Sequence, residues 1–351
     1  MNKLIQIGDK VIGNGHPSFI IAEMSGNHNQ NYERAKNILL AAKNAGVDAI
    51  KLQTYTADTI TLNSDNECFM TNKDGLWAGR TMHDLYSEAY TPWEWQPKLK
   101  KLADDIGLIL FSSPFDETSV DFLEDMNVPA YKIASFEIND VGLIRKVAQT
   151  KKPIIISTGI ADLSDISLAL KVCKEEENEN VILLKCASAY PAPYSDMNLS
   201  MIPNMKETFG CCVGISDHSL GDEIAIASVA LGANVVEKHF TLRRSDGGVD
   251  SAFSMEADEM KLLVERVRHA EQAIGQISYE LTEKQVKQRR VSRSLFVCKP
   301  IKQGDPFTKD NIRSVRPSNG LHTKYLDLII GKTASHDLDY GTPLNFADIS
   351  W

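Results

Sequence analysis

Eight short apolar runs, each ending in charged or hydrogen-bonding residues and each followed by a helical stretch, limit the folds open to this chain. They are FIIAEMSGNHNQ from Phe19, AIKLQTY from Ala49, ILFSSPFD from Ile109, YKIAS from Tyr131, PIIISTG from Pro153, VILLKCASAYP from Val181, VGISDHS from Val213 and VVEKHFT from Val235. Near-continuous apolar strands are buried on both faces, and their alternation with helices predicts an α/β protein, a (β/α)8 TIM barrel of parallel strands. Polar groups at the carboxyl ends of such strands converge on one mouth, where the chemistry of this fold sits. The pattern therefore indicates an enzyme and the rim that carries its site.

The helical stretches have the expected period. Residues 32–45 place Ile38, Leu39, Ala42 and Ala45 on one face, and Gly46 stops the helix. Further helices are predicted over 97–106, 118–126 (capped by Asp116 or Thr118), from Asp140 to near Gln149, and over 163–177, 222–231 and 257–274. Pro191, Pro193 and Pro203 leave room only for a short helix after the sixth strand. The acidic end at Glu175, Glu176 and Glu177 reads as a solvated face. Residues 4–12 read as an N-terminal strand or hairpin, and the long excursion 56–93 reads as a lid over the mouth.

Beyond Gly275 the texture changes. Residues 1–275 are expected to form the catalytic barrel and 276–293 a linker, whose basic KQVKQRRVSRS run is expected to lie against an acidic surface. Residues 294–351 give short strands, with turns at 302–305 and 339–342, hence a small, mostly β domain.

With 351 residues and 43% hydrophobic content the chain can bury a large core, and its net charge of -9 argues against general affinity for nucleic acid or anionic membrane. Its apolar runs are too short to span a bilayer. Six cysteines without CxxC spacing fit a reduced, cytoplasmic protein, with Cys186 read as packing.

Two constellations can do chemistry. His218 and His239 end the neighbouring seventh and eighth strands and can share a divalent cation, with Glu23 or Asp250 joining them. Oxygen and nitrogen ligands with open positions suit manganese, magnesium or cobalt better than a closed structural zinc site. Lys51 and Lys132 lie inside apolar strands, where an unpartnered lysine is costly, so both are expected to point into the cavity. With Ser135, Ser157, Ser188 and Ser216 they make a site for a phosphate or carboxylate; a Schiff-base lysine is the rival reading. Glu23, Glu137 and Glu237 are expected to stay ionised beside these charges, Asn27 and His28 to face the site, and the loop 247–250 to be a flexible substrate loop. An anionic reactant and a metal-polarised carbonyl together fit carbon–carbon bond formation. A non-catalytic sugar-binding protein would leave the inward lysines and histidines unexplained.

At IAEMSGNHNQ, DAIKLQTY, YKIAS, ISTG, GISDHS and EKHFT the chain resembles the bacterial sialic acid (nonulosonic acid) synthase family, and RRVSRSLFVCKPIKQGD through VRPSNG resembles its antifreeze-like (SAF) domain. The resemblance implies a transferase that condenses phosphoenolpyruvate with an N-acylated amino sugar, and a domain-swapped homodimer. It implies Lys51, Lys132, Ser135, Ser157 and Ser216 as phosphoenolpyruvate contacts, and His218 and His239 as metal ligands. It implies Glu23 beside the reacting aldehyde, Glu137 on a sugar hydroxyl, Glu237 and Asp250 on the sugar or metal side, and Arg316 at the N-acyl group. Ser188 in KCASAYP and the loop RRSDGGVDSAFS resemble the pseudaminic acid branch, whose 6-deoxy diacetamido sugar needs a less polar pocket. Met24, Tyr55, Phe136, Tyr190 and Phe253 are expected to line it, with N-acetylneuraminate and legionaminic acid synthesis as the alternatives.

Overall fold

In the computed structural model, which describes residues 4–71 and 76–351, the hairpin β1 (Ile5–Ile7) and β2 (Lys10–Ile12) precedes the barrel. Then β3 (Phe19–Glu23) leads into α1 (Tyr32–Ala45), and β4 (Ala49–Thr54) into the excursion with α2 (Ala57–Ile60) and α3 (Met82–Ala89). After α4 (Gln96–Asp105) come β5 (Ile109–Pro114), α5 (Glu117–Asp125), β6 (Tyr131–Ile133), α6 (Val141–Gln149), β7 (Ile154–Ser157) and α7 (Leu163–Glu175). The ring is completed by β8 (Val181–Cys186), α8 (Met201–Phe209), β9 (Cys212–Asp217), α9 (Glu223–Ala230), β10 (Val235–His239) and α10 (Ala257–Ile274). The strands close in the order β10-β3-β4-β5-β6-β7-β8-β9, all parallel.

Local chemistry explains the boundaries. Asn31 accepts from the Arg34 amide to start α1, and Gly46 ends it in the left-handed region at φ 85. Asp116 and Asp140 cap α5 and α6 in the same way. Each helix turns its apolar stripe to the strands, as α10 does with Met260, Leu263 and Val267, and each such side chain contributes roughly 1.5–3 kcal/mol.

The register sorts the barrel interior into layers, because paired residues of parallel strands share a face. Phe19 pairs with Val235 and Ile21 with Ala49, and these buried apolar groups close the lower barrel. Two residues further along, Glu23 pairs with Lys51 and His239, and Glu237 with Ser216. The apolar plug thus gives way to a polar top layer within one strand repeat.

Several expectations need correction. Among the prolines after β8, Pro203 lies inside the nine-residue α8, in the first turn, where a missing N–H costs no helical bond. The acidic end of α7 is a solvent-facing surface, as expected, and there Arg145 binds Glu176 at 2.7 Å and Glu175 at 3.0 Å. The basic run is partly ordered as α11 (Glu283–Gln288), capped by Thr282. In the excursion, residues 72–75 lie outside the described residues; around them Trp77 Nε1 donates to Val249 O at 3.0 Å and Gln30 Nε2 to Glu88 O at 3.0 Å. Those bonds tie the excursion to the loops after β3 and β10.

The chain divides into two compact units, Met1–Gly275 and Gln276–Trp351. The second pairs β11 (Ser294–Val297) with β12 (Ile312–Val315) and, after the one-turn helix α12 (Leu326–Ile329), β13 (Thr333–Ala334) with β14 (Ile349–Ser350). Its own core gathers Leu295, Val297, Phe307, Ile329 and Leu344. Among the described residues no helix is long and apolar enough to cross a membrane.

Candidate active site

Four charged side chains meet in the top layer. Lys51 Nζ lies 2.7 Å from Glu23 Oε2 and 3.2 Å from Glu237 Oε2, while Lys132 Nζ lies 2.8 Å from Glu237 Oε1. Ser216 Oγ donates to Glu237 Oε1 at 2.9 Å. All four charged groups are buried, so their protonation follows a contest between burial and partner charge. For Glu237 burial is overcome by both lysines, and its carboxyl falls far below the usual range. For Glu23 burial wins over Lys51 and the carboxyl rises to about 7. Burial would lower Lys51, but its two carboxylates hold it above its ordinary value; Lys132 is lowered, with burial dominant. The expectation that all three glutamates stay ionised is thereby corrected. Glu137 also rises to about 7 through burial, and its Oε2 has no partner.

The serines divide. Ser188 Oγ donates to Ser135 Oγ at 2.9 Å, which also accepts from the Ile160 amide at 3.2 Å. Ser157 Oγ is buried without a partner. Ser216 stands apart from this group, its hydroxyl committed to Glu237. Gly159 forms the floor between them: a Cβ there would collide with Ser188 Oγ and lie 2.7 Å from Ser135 Oγ. Hydroxyls with few protein partners, above a floor cleared by glycine, suit an incoming oxyanion.

His218 and His239 stand side by side, ring centroids 5.3 Å apart, with Phe253 against both and Tyr190 4.5 Å from His218. Burial keeps both neutral, His218 down to about 4 and His239 well below its ordinary value. His218 Nδ1 lies 3.2 Å from the Ala187 carbonyl, so assigning the proton there leaves Nε2 free to ligate. His239 Nδ1 is buried without a hydrogen bond, and Asp250 Oδ2 lies 3.8 Å away. Among the described residues no group of three or more His, Cys, Asp or Glu side chains gathers closely enough to enclose an ion. Two neutral imidazoles with an orphaned buried nitrogen nonetheless fit an open divalent site completed by water and substrate.

The remaining expected contacts separate by environment. Tyr55 is buried against Tyr86 and Phe115, and Tyr190 and Phe253 wall the histidines. Asn27 divides its amide: Nδ2 donates to Phe240 O at 3.0 Å and Ser254 Oγ at 2.9 Å, tying down the loop after β10, while its buried Oδ1 has no partner. His28 is likewise occupied, by the Gln30 amide and Thr91. Met24 belongs to the apolar core and does not line the pocket as expected, whereas Phe136 is exposed between Ser135 and Glu137. The loop 247–250 is pinned by Ser25 Oγ on Asp250 and by Trp77 on Val249. Arg316 is exposed just beyond β12 in the second unit.

Two residues escaped the sequence reading. Gln53 Nε2 reaches Glu23 Oε1 at 3.4 Å and Ser25 Oγ at 3.2 Å; its spacing of two from Lys51 was the available signal. Ser25, at φ 47, donates its amide to Glu23 Oε1 at 2.7 Å. No sequence signal marks a non-glycine residue in that conformation.

Comparison with known proteins places this geometry. The NeuB family pattern matches residues 38–279 and the SAF domain pattern residues 292–350. A pseudaminic acid synthase of Campylobacter jejuni is 48% identical over 330 residues, covering 94% of this chain and 96% of that one. An N,N'-diacetyllegionaminic acid synthase of Legionella pneumophila is 35% identical, covering 96% of each. The crystal structure of a sialic acid synthetase from Leptospira borgpetersenii, in complex with citrate, superposes with a TM-score of 0.73 at 31% identity, covering 82% of this chain and 95% of that one.

Proposed function

Since the chain belongs to the NeuB family and carries a SAF domain, we propose that it condenses phosphoenolpyruvate with 2,4-diacetamido-2,4,6-trideoxy-β-L-altropyranose and water, giving pseudaminic acid and phosphate. The observation that carries the reaction type is the shared top layer: buried lysines beside a hydroxyl cradle, with neutral imidazoles from the next strands. The sugar assignment rests on the higher identity to the pseudaminic acid synthase than to the legionaminic one.

In this reading Lys51 and Lys132 hold the anionic groups of phosphoenolpyruvate, with Ser135, Ser157 and Ser188 donating to its oxygens and Ser216 fixing Glu237. The family is generally metal-dependent, and manganese, magnesium or cobalt held by His218 and His239 would act there as a Lewis acid on the sugar carbonyl. The electron pair of the enol attacks from C3 onto the open-chain aldehyde carbon. Glu23, protonated near neutrality, hands its proton to the carbonyl oxygen as that becomes a hydroxyl. Water adds at C2 and gives a proton to a neighbouring carboxylate. The tetrahedral centre then collapses, its hydroxyl becoming the keto group and passing its proton to the departing phosphate oxygen as the C–O bond to phosphate breaks. Tyr55, Tyr190 and Phe253 would give the deoxygenated sugar an apolar wall. Glu137 and Asp250 would take its polar groups, and Asn27 would hold the loop that carries Asp250. In the domain-swapped homodimer implied by the family, Arg316 of a second copy would meet an N-acyl group.

The test is a panel of sugars with phosphoenolpyruvate and Mn2+, following phosphate release and product mass. Turnover is expected with the L-altro diacetamido sugar. Preference for N-acetylmannosamine, or for the legionaminic precursor, would overturn the assignment.

A further inference from the structure

Directly behind the two histidines, on the outer wall of the barrel, lies an ion pair with no place in the reaction above. Asp217 on β9 and Lys238 on β10 are register partners, and Lys238 Nζ lies 2.8 Å from Asp217 Oδ2 with side-chain exposures of 1% and 0%. Lys238 Nζ also donates to the Ser219 carbonyl at 2.7 Å. Asp217 Oδ1 accepts from the Ser219 amide at 2.8 Å and its hydroxyl at 2.6 Å. Side chains alternate across a strand, so Asp217 and Lys238 point outward between two inward rungs. One rung is Ser216 with Glu237; the other is His218 with His239. Ser219, the residue after His218, is gripped from both members of the pair.

The position of this pair is informative because burying two charges is an inefficient way to gain stability: a well-packed apolar pair does as well or better. Among the described residues, the other ion pairs with both side chains at or below 5% exposure are Lys51–Glu23, Lys51–Glu237 and Lys132–Glu237, all in the site itself. Its geometric effect is local. It bridges β9 and β10 at the level where both imidazoles emerge, and it bonds the turn after His218.

We propose that Asp217 and Lys238 are positioning residues, a clamp behind the barrel wall that sets the spacing of His218 and His239 and with it the affinity for the divalent cation. This rests on reading those histidines as metal ligands. Groups that orient ligands without touching the ion are typically worth about 10- to 100-fold in metal affinity.

The experiment uses the full-length protein stripped of metal, with Mn2+ binding followed by electron paramagnetic resonance and phosphoenolpyruvate binding by calorimetry without metal. The double variant Asp217→Asn/Lys238→Met removes both charges while Asn keeps an acceptor for Ser219. It is expected to bind Mn2+ about 10- to 100-fold more weakly than wild type, with phosphoenolpyruvate affinity held within about threefold. Mn2+ affinity within about twofold of wild type overturns the clamp, and so does an equal loss of phosphoenolpyruvate binding, which would mark a general structural role. Should the double variant fail to fold, Ser219→Ala decides, since it loosens the grip on the turn without unpairing a charge. It is expected to weaken Mn2+ binding by about threefold or more, and no change overturns the proposal. Wild-type protein that binds no Mn2+ removes the metal reading, and the clamp with it.

Discussion

Replacing Glu23 by glutamine should uncouple stability from activity, in a way that depends on pH. Burial raises this carboxyl from 4.5 to about 7 against the pull of Lys51. In the unfolded chain it ionises near its ordinary value, so below that pH neither state is charged and burial costs no ionisation energy. Between there and pH 7 the unfolded state has lost the proton and the folded state has kept it, and stability falls by about 1.4 kcal/mol per pH unit. Above pH 7 the loss levels off near about 3 kcal/mol. Glutamine removes this term at every pH. Its amide can accept from Ser25 and Gln53 through the oxygen, but its NH2 faces Lys51, which loses an acceptor at 2.7 Å. That adds a pH-independent cost of roughly 1–3 kcal/mol. The stability difference, variant minus wild type, is therefore expected to rise by about 3 kcal/mol between pH 5 and pH 8 and to be flat above. In thermal melting of the barrel this is a relative swing of roughly 5 °C. Phosphate release at pH 7.5 should drop by about 10²- to 10⁴-fold, the usual worth of a proton donor. A difference in melting temperature that stays constant from pH 5 to pH 8 would refute the argument, because a carboxyl left ionised in the fold produces no such slope.

Lys132→Met removes the 2.8 Å partner of Glu237 but leaves it Lys51 and Ser216; steady-state kinetics should show loss of phosphoenolpyruvate saturation, and denaturant unfolding a loss below the about 3–5 kcal/mol of a buried charge left with no partner. Gly159→Ala pushes a methyl onto Ser135 and Ser188; the KM for phosphoenolpyruvate should rise by about 100-fold or more while sugar affinity stays near wild type, since the clash is confined to the anion cradle. Ser25→Gly relieves a backbone held at φ 47, a strain worth about 1–3 kcal/mol, but unpairs a buried carboxyl at a similar cost, so the melting temperature should stay near wild type. It also deletes the hydroxyl that holds Asp250, so kcat should fall; higher activity would show that this tether has no part in turnover.

Much of this arrangement is legible in the residues alone. Glu23, Lys51, Lys132, Glu237, Ser216 and both histidines stand out because an apolar strand has no other reason to carry them, and the two-residue period puts them on one inner face. Helix limits were equally readable where a cap residue and a glycine bracket an apolar stripe, as around α1. The misreadings share one cause. Met24 is as apolar as the pocket residues, yet it packs in the core, and His28 is taken up by Gln30 and Thr91. Asn27 follows a strand, and its Nδ2 finds partners on the distant loop after β10 while its Oδ1 finds none. Such choices depend on what chain segment arrives opposite, and that is absent from any local window.

The chain's own order of residues dictated the eightfold alternation, the face on which each side chain emerges, and hence the set of groups able to meet at the mouth, because peptide geometry imposes the periods of strand and helix. Which carboxylate holds a proton, which serine is left without a partner, and how an outer ion pair comes to stand behind two histidines were decided only when the barrel closed. Those properties follow from burial and from distances of a few ångströms between residues far apart in the chain, and charge interactions acquire their size and sign from that environment.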